Sequence, residues 1–350
     1  MTSELTVLPN AAAELTRLLR SGWIGTAGPL NERSEAAWAA ELGRSGAVAF
    51  RTALIAYEAL YHDLGIGPGA EVILPAAAPL EAALALVQRG ATAVPVDIDR
   101  RSRSLTAALA RPYITGRTAA LFCNGLPERN RRRALRELAD AHGLPLIEER
   151  RSATPTLPHL PHADWTVLTL QQQRAAAGGT LLLRDDAGGL QRLRDWRAAL
   201  PLRAMTNLQA VSALEQALQR PQLLARRRML GMLYRHALAA APALCRIARL
   251  TYDEHGDAPV ALQLRRQAGL DAATLLQAAS ACGIDLRPAP VLLHRQPLLR
   301  RLGLPAVAAV PHAEQLAAEL LLLPSGPSVG AELVQSVIAV LEQAVLRCRR

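Results

Sequence analysis

A chain of 350 residues, half of them hydrophobic, is globular and long enough for two lobes around a large buried core. No apolar run approaches the ~18–20 residues of a membrane span, and the opening MTSELTVLPNAAAELTRLLR mixes acids, polar residues and arginine where a secretory leader would be basic and then apolar, so a cytoplasmic location is expected. The formal net charge is +10 and all forty basic residues are arginine; the sequence contains no lysine, so no side chain can form a lysine Schiff base.

In chain order, short apolar runs alternate with helical periodicity. GAVAF (46–50) and EVILP (71–75) read as strands, followed by TAVPVDI (92–98), TAALFC (118–123) and LPLIEE (144–149). Between them 52–64, 79–89 and 131–142 repeat apolar residues at three and four, as helices do. Strand and helix alternating at this spacing predict a parallel sheet covered on both faces. TVLTL (166–170) and TLLLRD (180–185) add two strands, giving a doubly wound, mainly parallel seven-stranded α/β domain. After residue 186 the texture changes. A Leu/Ala/Arg region over 206–241 reads as one or two amphipathic helices broken by Pro242. APVALQLRR (258–266) reads as a strand, Asp271 as the cap of a helix running to about Cys282, and 331–346 as a last helix. The expected division is a large domain over 1–220 and a smaller α+β domain over 221–350.

The four cysteines (Cys123, Cys245, Cys282, Cys348) have no CxxC pairing, and no histidine cluster shows metal-ligand spacing, so neither disulfide nor metal is expected. The basic runs RNRRR (129–133) and RRR (226–228) lack interleaved aromatics and read as solvated helix faces, not as a nucleic-acid surface. Thr169, Ser152, Cys123, His142 and His159 are the available nucleophiles and bases, but none lies in a GxSxG-like signature. HLPH (159–162) has the wrong spacing for two ligands on one helical face, so His159 and His162 read as loop residues.

Several segments resemble, in order, the DegT/DnrJ/EryC1/StrS sugar aminotransferases, pyridoxal-phosphate enzymes of the aspartate-aminotransferase-like fold (fold type I). SGWIGTAGP (21–29) is similar to the family's SGWxxxGP, LGIGPGAEVILP (64–75) to LGIGPGDEVIVP, and GATAVPVDID (90–99) to GATPVFVDID. ITGRTAALFCNGLPE (114–128) stands for the strand and loop that usually read IxxxTKAIIPVHLYGQPAD. MTNLQAVSALEQALQRPQLLARRRMLGMLY (205–234) and LLLLPSGPSVGAELVQSVIAVLEQA (320–344) resemble the family's helix beside the active site and its closing segment.

Against that pattern the catalytic positions are altered. LQQQRAAAGGTLLL (170–183) takes the place of the loop that carries the family's aldimine lysine, with Arg174 at the lysine and Thr169 keeping a hydroxyl. Arginine has no free amine for an imine and no base for the 1,3-proton shift. Histidine, which serves at this position in related dehydratases, is absent from the loop. LIEERRSA (146–153) replaces VIEDAAQA, so Glu149 takes the place of the aspartate that pairs with the pyridine nitrogen. Arg150 and Arg151 follow it where the family has alanines, and an internal ion pair is the expected use of Glu149. Arg51 and Thr52 correspond to the phosphate turn, with an arginine where a glycine lets backbone N–H groups approach. Pro79 replaces the aromatic that stacks on the ring, and the asparagine expected before Met205 is missing.

The resemblance therefore implies a vestigial pocket of Arg51, Thr52, Pro79, Glu149, Ser152, Thr169 and Arg174, with no catalytic residue and no cofactor. Arg51, Arg150, Arg151 and Arg174 form a candidate anion-binding set around one cavity, where mutual repulsion requires Glu148, Glu149 or an anionic ligand to neutralise them. His294, in VLLHRQP, resembles the family's substrate-end HYPxxxHxQP. The family completes its active site with a second subunit, so a homodimer, or a heterodimer with an active aminotransferase-type enzyme, is expected. The readings that follow are a protein partner in sugar or secondary-metabolite biosynthesis, a binding protein for an anion such as a sugar nucleotide, and an enzyme with new cofactor-independent chemistry.

Overall fold

Seven of the short apolar runs assemble into one sheet because each is buried on both faces and none can stand alone in water. In the computed structural model, which describes residues 9–26, 28–124, 129–151, 163–170, 178–251, 260–265, 272–288, 291–304, 309–326 and 329–348, they are β1 (Gly46–Phe50), β2 (Glu71–Pro75), β3 (Thr92–Val96), β4 (Thr118–Asn124), β5 (Leu146–Arg151), β6 (Trp165–Thr169) and β7 (Thr180–Arg184). Their order is β1-β7-β6-β5-β4-β2-β3. Only β7 runs against its neighbours; it pairs antiparallel with both β1 and β6.

Strand alternation sends successive side chains to opposite faces, and each face meets its own helices. Val48, Phe50, Val72, Leu74, Phe122, Ile147, Val167 and Leu182 pack under α3 (Ala53–Asp63), α4 (Leu80–Gln88) and α7 (Ala187–Ala198). On the other face Ala47, Ala49, Leu168, Leu181 and Leu183 meet α2 (Pro29–Glu41) and α8 (Asn207–Leu218), around buried Trp38. Ile73, Leu121, Cys123 and Leu146 meet α6 (Arg129–Ala141), with α5 (Ala107–Ala110) beside it. The amino-terminal α1 (Pro9–Ser21) lies on α8 through Leu18 and Val211.

Local chemistry fixes the helix ends. Thr52 and Asp186 cap α3 and α7 with side-chain oxygens, and Thr206 with Gln209 forms a complete capping box on α8. The region 206–241 is two helices, α8 and α9 (Arg220–Ala239), joined at Gln219. Pro242 breaks the run as expected, and it also opens α10 (Pro242–Ile247), in whose first turn a missing N–H costs nothing.

The second sheet, β10-β11-β9-β8, comprises β8 (Ala248–Thr251), β9 (Ala261–Leu264), β10 (Arg287–Pro288) and β11 (Leu320–Leu322), all antiparallel. One face is covered by α9, α10, α11 (Ala272–Ala281) and α14 (Ala331–Cys348). From the other, Ala261 and Leu320 pack with α13 (Pro311–Glu319) against Ala76 and Ile98, at the ends of β2 and β3. The short α12 (Pro297–Arg301) extends this seam, with Leu299 in the core of the first sheet. Asp271 lies outside the described residues. Among them, no helix is long and apolar enough to cross a membrane.

Candidate functional site

Strands β1 to β6 are parallel, so their carboxyl ends share one edge, the place where open α/β sheets gather their ligands. Arg51 follows β1. Its N–H donates to the Arg203 carbonyl at 2.9 Å and its carbonyl accepts from Gln209 Nε2 at 3.0 Å. Gln209 is also the third residue of α8 and closes its capping box, while Thr52 Oγ1 accepts from the Ile55 N–H at 3.3 Å to start α3. Arg51 thus stands beside two helix N-termini, whose partial positive charge adds to its own. Among the described residues no carboxylate pairs with its guanidinium.

Further along the edge, Asn124 ends β4 and donates through Nδ2 to the Ala77 carbonyl at 3.0 Å, while its Oδ1 is buried with no partner among the described residues. Glu149 pairs in register with Asn124 and is buried. Thr169, half-buried at the end of β6, sits between Arg151 and Thr180 in register. Pro79 precedes α4 as its cap residue without offering a side-chain hydrogen bond. Sequence reasoning passed over Asn124 and Gln209. The signal for the first was a lone amide ending an apolar strand, and for the second a glutamine three residues after Thr206.

Gly179 closes the edge next to β7. The Leu170 N–H donates to its carbonyl at 3.1 Å, and a Cβ there would lie 2.3 Å from Met205 Cε and 3.0 Å from the Phe50 carbonyl oxygen. The close approach of three chain segments therefore requires glycine.

Successive side chains of β5 alternate, so Arg150 lies on Glu148's side of the sheet, opposite Glu149. There Glu148 accepts from Arg132 and lies 3.0 Å from Arg150 Nε. Arg44 completes the group, bound to Asp185 at 2.6 Å and to the Ala163 carbonyl and Thr166 hydroxyl. Burial pushes the adjacent Cys123 thiol up to about 12. Glu148 thus neutralises Arg150 from within the fold.

In the RNRRR run (129–133) Arg133 is exposed and pairs with Glu137 one turn on, as a solvated face does, whereas Arg132 is buried and half-buried Arg131 pairs with Asp99. His294 Nε2 lies 3.1 Å from Glu314 Oε1, on α13. Ser152, His159, His162, the glutamines 171–173 and Arg174 lie outside the described residues. Among those described, no group of three His, Cys, Asp or Glu side chains is placed to hold a metal.

The edge can bind: it offers a guanidinium, two helix N-termini, a buried amide and a buried carboxylate. These residues do not fit pyridoxal phosphate held as an aldimine. The sequence holds no lysine to form the imine.

Comparison with known proteins agrees with the architecture. The profile of the DegT/DnrJ/EryC1/StrS aminotransferase family matches residues 8–156 and 201–342. The erythromycin biosynthesis sensory transduction protein EryC1 of Saccharopolyspora erythraea is 30% identical over 349 residues, covering 93% of each chain. The crystal structure of DesI with its TDP-sugar product superposes with a TM-score of 0.83 at 24% identity, covering 97% of this chain and 90% of that one. That of S. venezuelae DesV in complex with a ketimine intermediate gives 0.77 at 26% identity, covering 96% and 94%.

Proposed function

Since this chain belongs to the DegT/DnrJ/EryC1/StrS aminotransferase family, we propose that it is a non-catalytic subunit of that fold, acting through a protein partner in sugar or secondary-metabolite biosynthesis. The observation that carries the reading is the absence of lysine from all 350 residues. The family's chemistry begins with an amine that becomes an imine, and an arginine guanidinium, delocalised and always protonated, cannot supply it. The changes at Arg51 and Pro79 point the same way, because they remove the phosphate turn and the stacking face as well. The fold itself is well formed: seven strands make one sheet and α8 carries a full capping box. The pathway assignment rests on the EryC1 relative.

Arg51 supports a second reading, that the carboxyl edge holds an anion such as a sugar nucleotide. It has no ion-pair partner among the described residues and lies beside the N-termini of α3 and α8.

One set of measurements tests both. Purified chain mixed with pyridoxal phosphate, an amino-acid donor and a nucleotide-linked keto sugar is expected to show no turnover and no borohydride-reducible label on the protein; either would overturn the non-catalytic reading. Thermal unfolding with the same compounds and with inorganic phosphate decides the anion reading. A ligand at a hundred times its dissociation constant adds about 2.7 kcal/mol, and Arg51→Ala should remove the gain. Stabilisation that is absent, or unchanged in the variant, would exclude the edge as an anion site.

A further inference from the structure

The turn that follows β3 carries three features that cost stability. Arg103 has a φ of 56°, the only positive value at a non-glycine residue among those described, in the left-handed region that side-chain-bearing residues enter at a cost. Its guanidinium is half-buried and has no carboxylate partner among the described residues. Ser104, next to it, is fully buried, and its hydroxyl has no hydrogen-bond partner among them either. The backbone pins this shape: the Arg103 N–H donates to the Asp99 carbonyl at 2.8 Å, and the Asp99 N–H to the Ser104 carbonyl at 3.0 Å. Residues held in this way cluster at ligand clamps and active sites.

A second arginine faces the turn. In β8, Arg249 pairs in register with Gln263, and Thr251 with Ala261. Residues opposite each other or two apart share one face of a sheet, so Arg249 lies on the face that Ala261 turns toward Ile98, at the root of the turn. Burial and the charge of Arg249 both push the Arg103 guanidinium below its ordinary range. Arg249 is exposed, donates through Nη2 to Gln263 Oε1 at 2.9 Å and meets no carboxylate among the described residues. The acids that flank the pair are already engaged. Asp99 takes Arg131, the Arg101 N–H and both Ser102 donors. Asp97 takes the first N–H groups of α13, and Glu319 accepts from Gln263 Nε2 at 3.0 Å and from Gln315 Nε2 at 2.7 Å. Asp253, Glu254 and Asp257, between β8 and β9, lie outside the described residues.

We propose that Arg103 and Arg249 form an oxyanion site at the seam between the two sheets, which takes a phosphate group, free or carried by a nucleotide. The double charge of a phosphate matches two guanidiniums, whose N–H forks suit its oxygens, whereas a carboxylate would compensate only one. The site is distinct from Arg51 and the carboxyl edge beside it. Arg51 follows β1 and Arg103 follows β3, the two outermost strands of the first sheet, roughly 30 Å apart at about 4.8 Å per strand. The proposal does not depend on the non-catalytic reading of the chain.

Calorimetric titration with inorganic phosphate, in the Arg51→Ala chain so that the other candidate anion site is silent, should show one phosphate bound per chain and a raised melting temperature. A nucleoside diphosphate titrated alongside separates the two sources: tighter binding than phosphate assigns the site to a nucleotide, equal or weaker binding to free phosphate. Arg103→Gln and Arg249→Gln should each weaken phosphate at least tenfold. Neither should lower the melting temperature of the phosphate-free chain, because each removes an uncompensated charge; a purely structural arginine would do the reverse. Arg246→Gln, which removes an exposed arginine of α10, should leave the affinity unchanged. Loss of binding there equal to that in the seam variants would mean an adventitious ion only, drawn by net charge, and would overturn the proposal. So would phosphate that fails to bind the Arg51→Ala chain, phosphate bound undiminished by both seam variants, or a lowered phosphate-free melting temperature in both. Binding that appears only after Asp253→Asn, Glu254→Gln and Asp257→Asn are combined would overturn it too, by showing the pair neutralised from within the chain.

Discussion

Glu148 shows how much one buried carboxylate decides. It lies between Arg132 and Arg150 on a face shared with Arg44, which pairs with the half-exposed Asp185. Two charges taken out of water are tolerated only while they compensate each other, and removing one partner leaves the other uncompensated. Glu148→Gln is therefore expected to destabilise the fold by about 3–5 kcal/mol, read as a fall in the urea midpoint with an unchanged slope. Pairing it with Arg132→Met should recover part of the loss. A midpoint unmoved by Glu148→Gln would show that the guanidiniums draw their compensation elsewhere. The neighbouring Glu149 faces the carboxyl edge instead, a difference of role set by one step along a strand.

The seam between the sheets turns on a loop and a helix end. Asp97, just past β3, accepts from the backbone N–H groups of His312 at 3.1 Å and Ala313 at 2.8 Å, and the His312 ring lies 2.9 Å away. It thereby caps α13 from 215 residues away in sequence, a task helices normally assign to their own preceding residue; here that residue is Val310, which cannot do it. Ile98, Ala76 and Ala313 pack around the contact. Asp97→Ala should cost about 1–2 kcal/mol and speed hydrogen exchange at the His312 and Ala313 amides more than at the amides of β4. Uniform acceleration across both sheets would mean that Asp97 contributes only to global stability.

Across the whole molecule the excess of arginine sets the response to acid. Burial pushes the Asp185 carboxyl up, but the Ser45 N–H and the Arg44 guanidinium outweigh this and hold it below the ordinary carboxylate range. Asp99 is likewise pushed up by burial and more than offset by the Ser102 N–H and hydroxyl and by Arg131. A carboxyl whose folded value is depressed stabilises the protein fully above its unfolded value, and that contribution disappears as pH falls through the folded value. Both groups are substantially solvated, so each effect is modest. Protonating the remaining acids of a chain already at +10 adds self-repulsion in the same direction. Urea midpoints should therefore hold steady near neutrality and drop below the ordinary carboxylate range, and Asp185→Asn should flatten part of that drop. A midpoint independent of pH down to strongly acidic conditions would contradict this account.

The sequence by itself determined the seven strands of the first sheet to within two residues at either end, because a strand buried on both faces must be a short apolar run. It also determined what the carboxyl edge lacks, since the absence of lysine needs no geometry. The sequence reading passed over α1, weaker periodicity hid α2 and α7, and β8, β10 and β11 are only two to four residues long, the last two with pairing partners far away in the chain. Only the tertiary structure separated Glu148 from Glu149 and put Arg150 on Glu148's side of the sheet. Composition records that acids and arginines are adjacent in LIEERR; which face of the sheet each occupies depends on strand register and on what packs above and below it. The same holds for Asp97 and α13, and for the bond from Asn207 to the Trp23 carbonyl, because contacts across 180 or more residues arise from the path of the folded chain and leave no local pattern in the sequence.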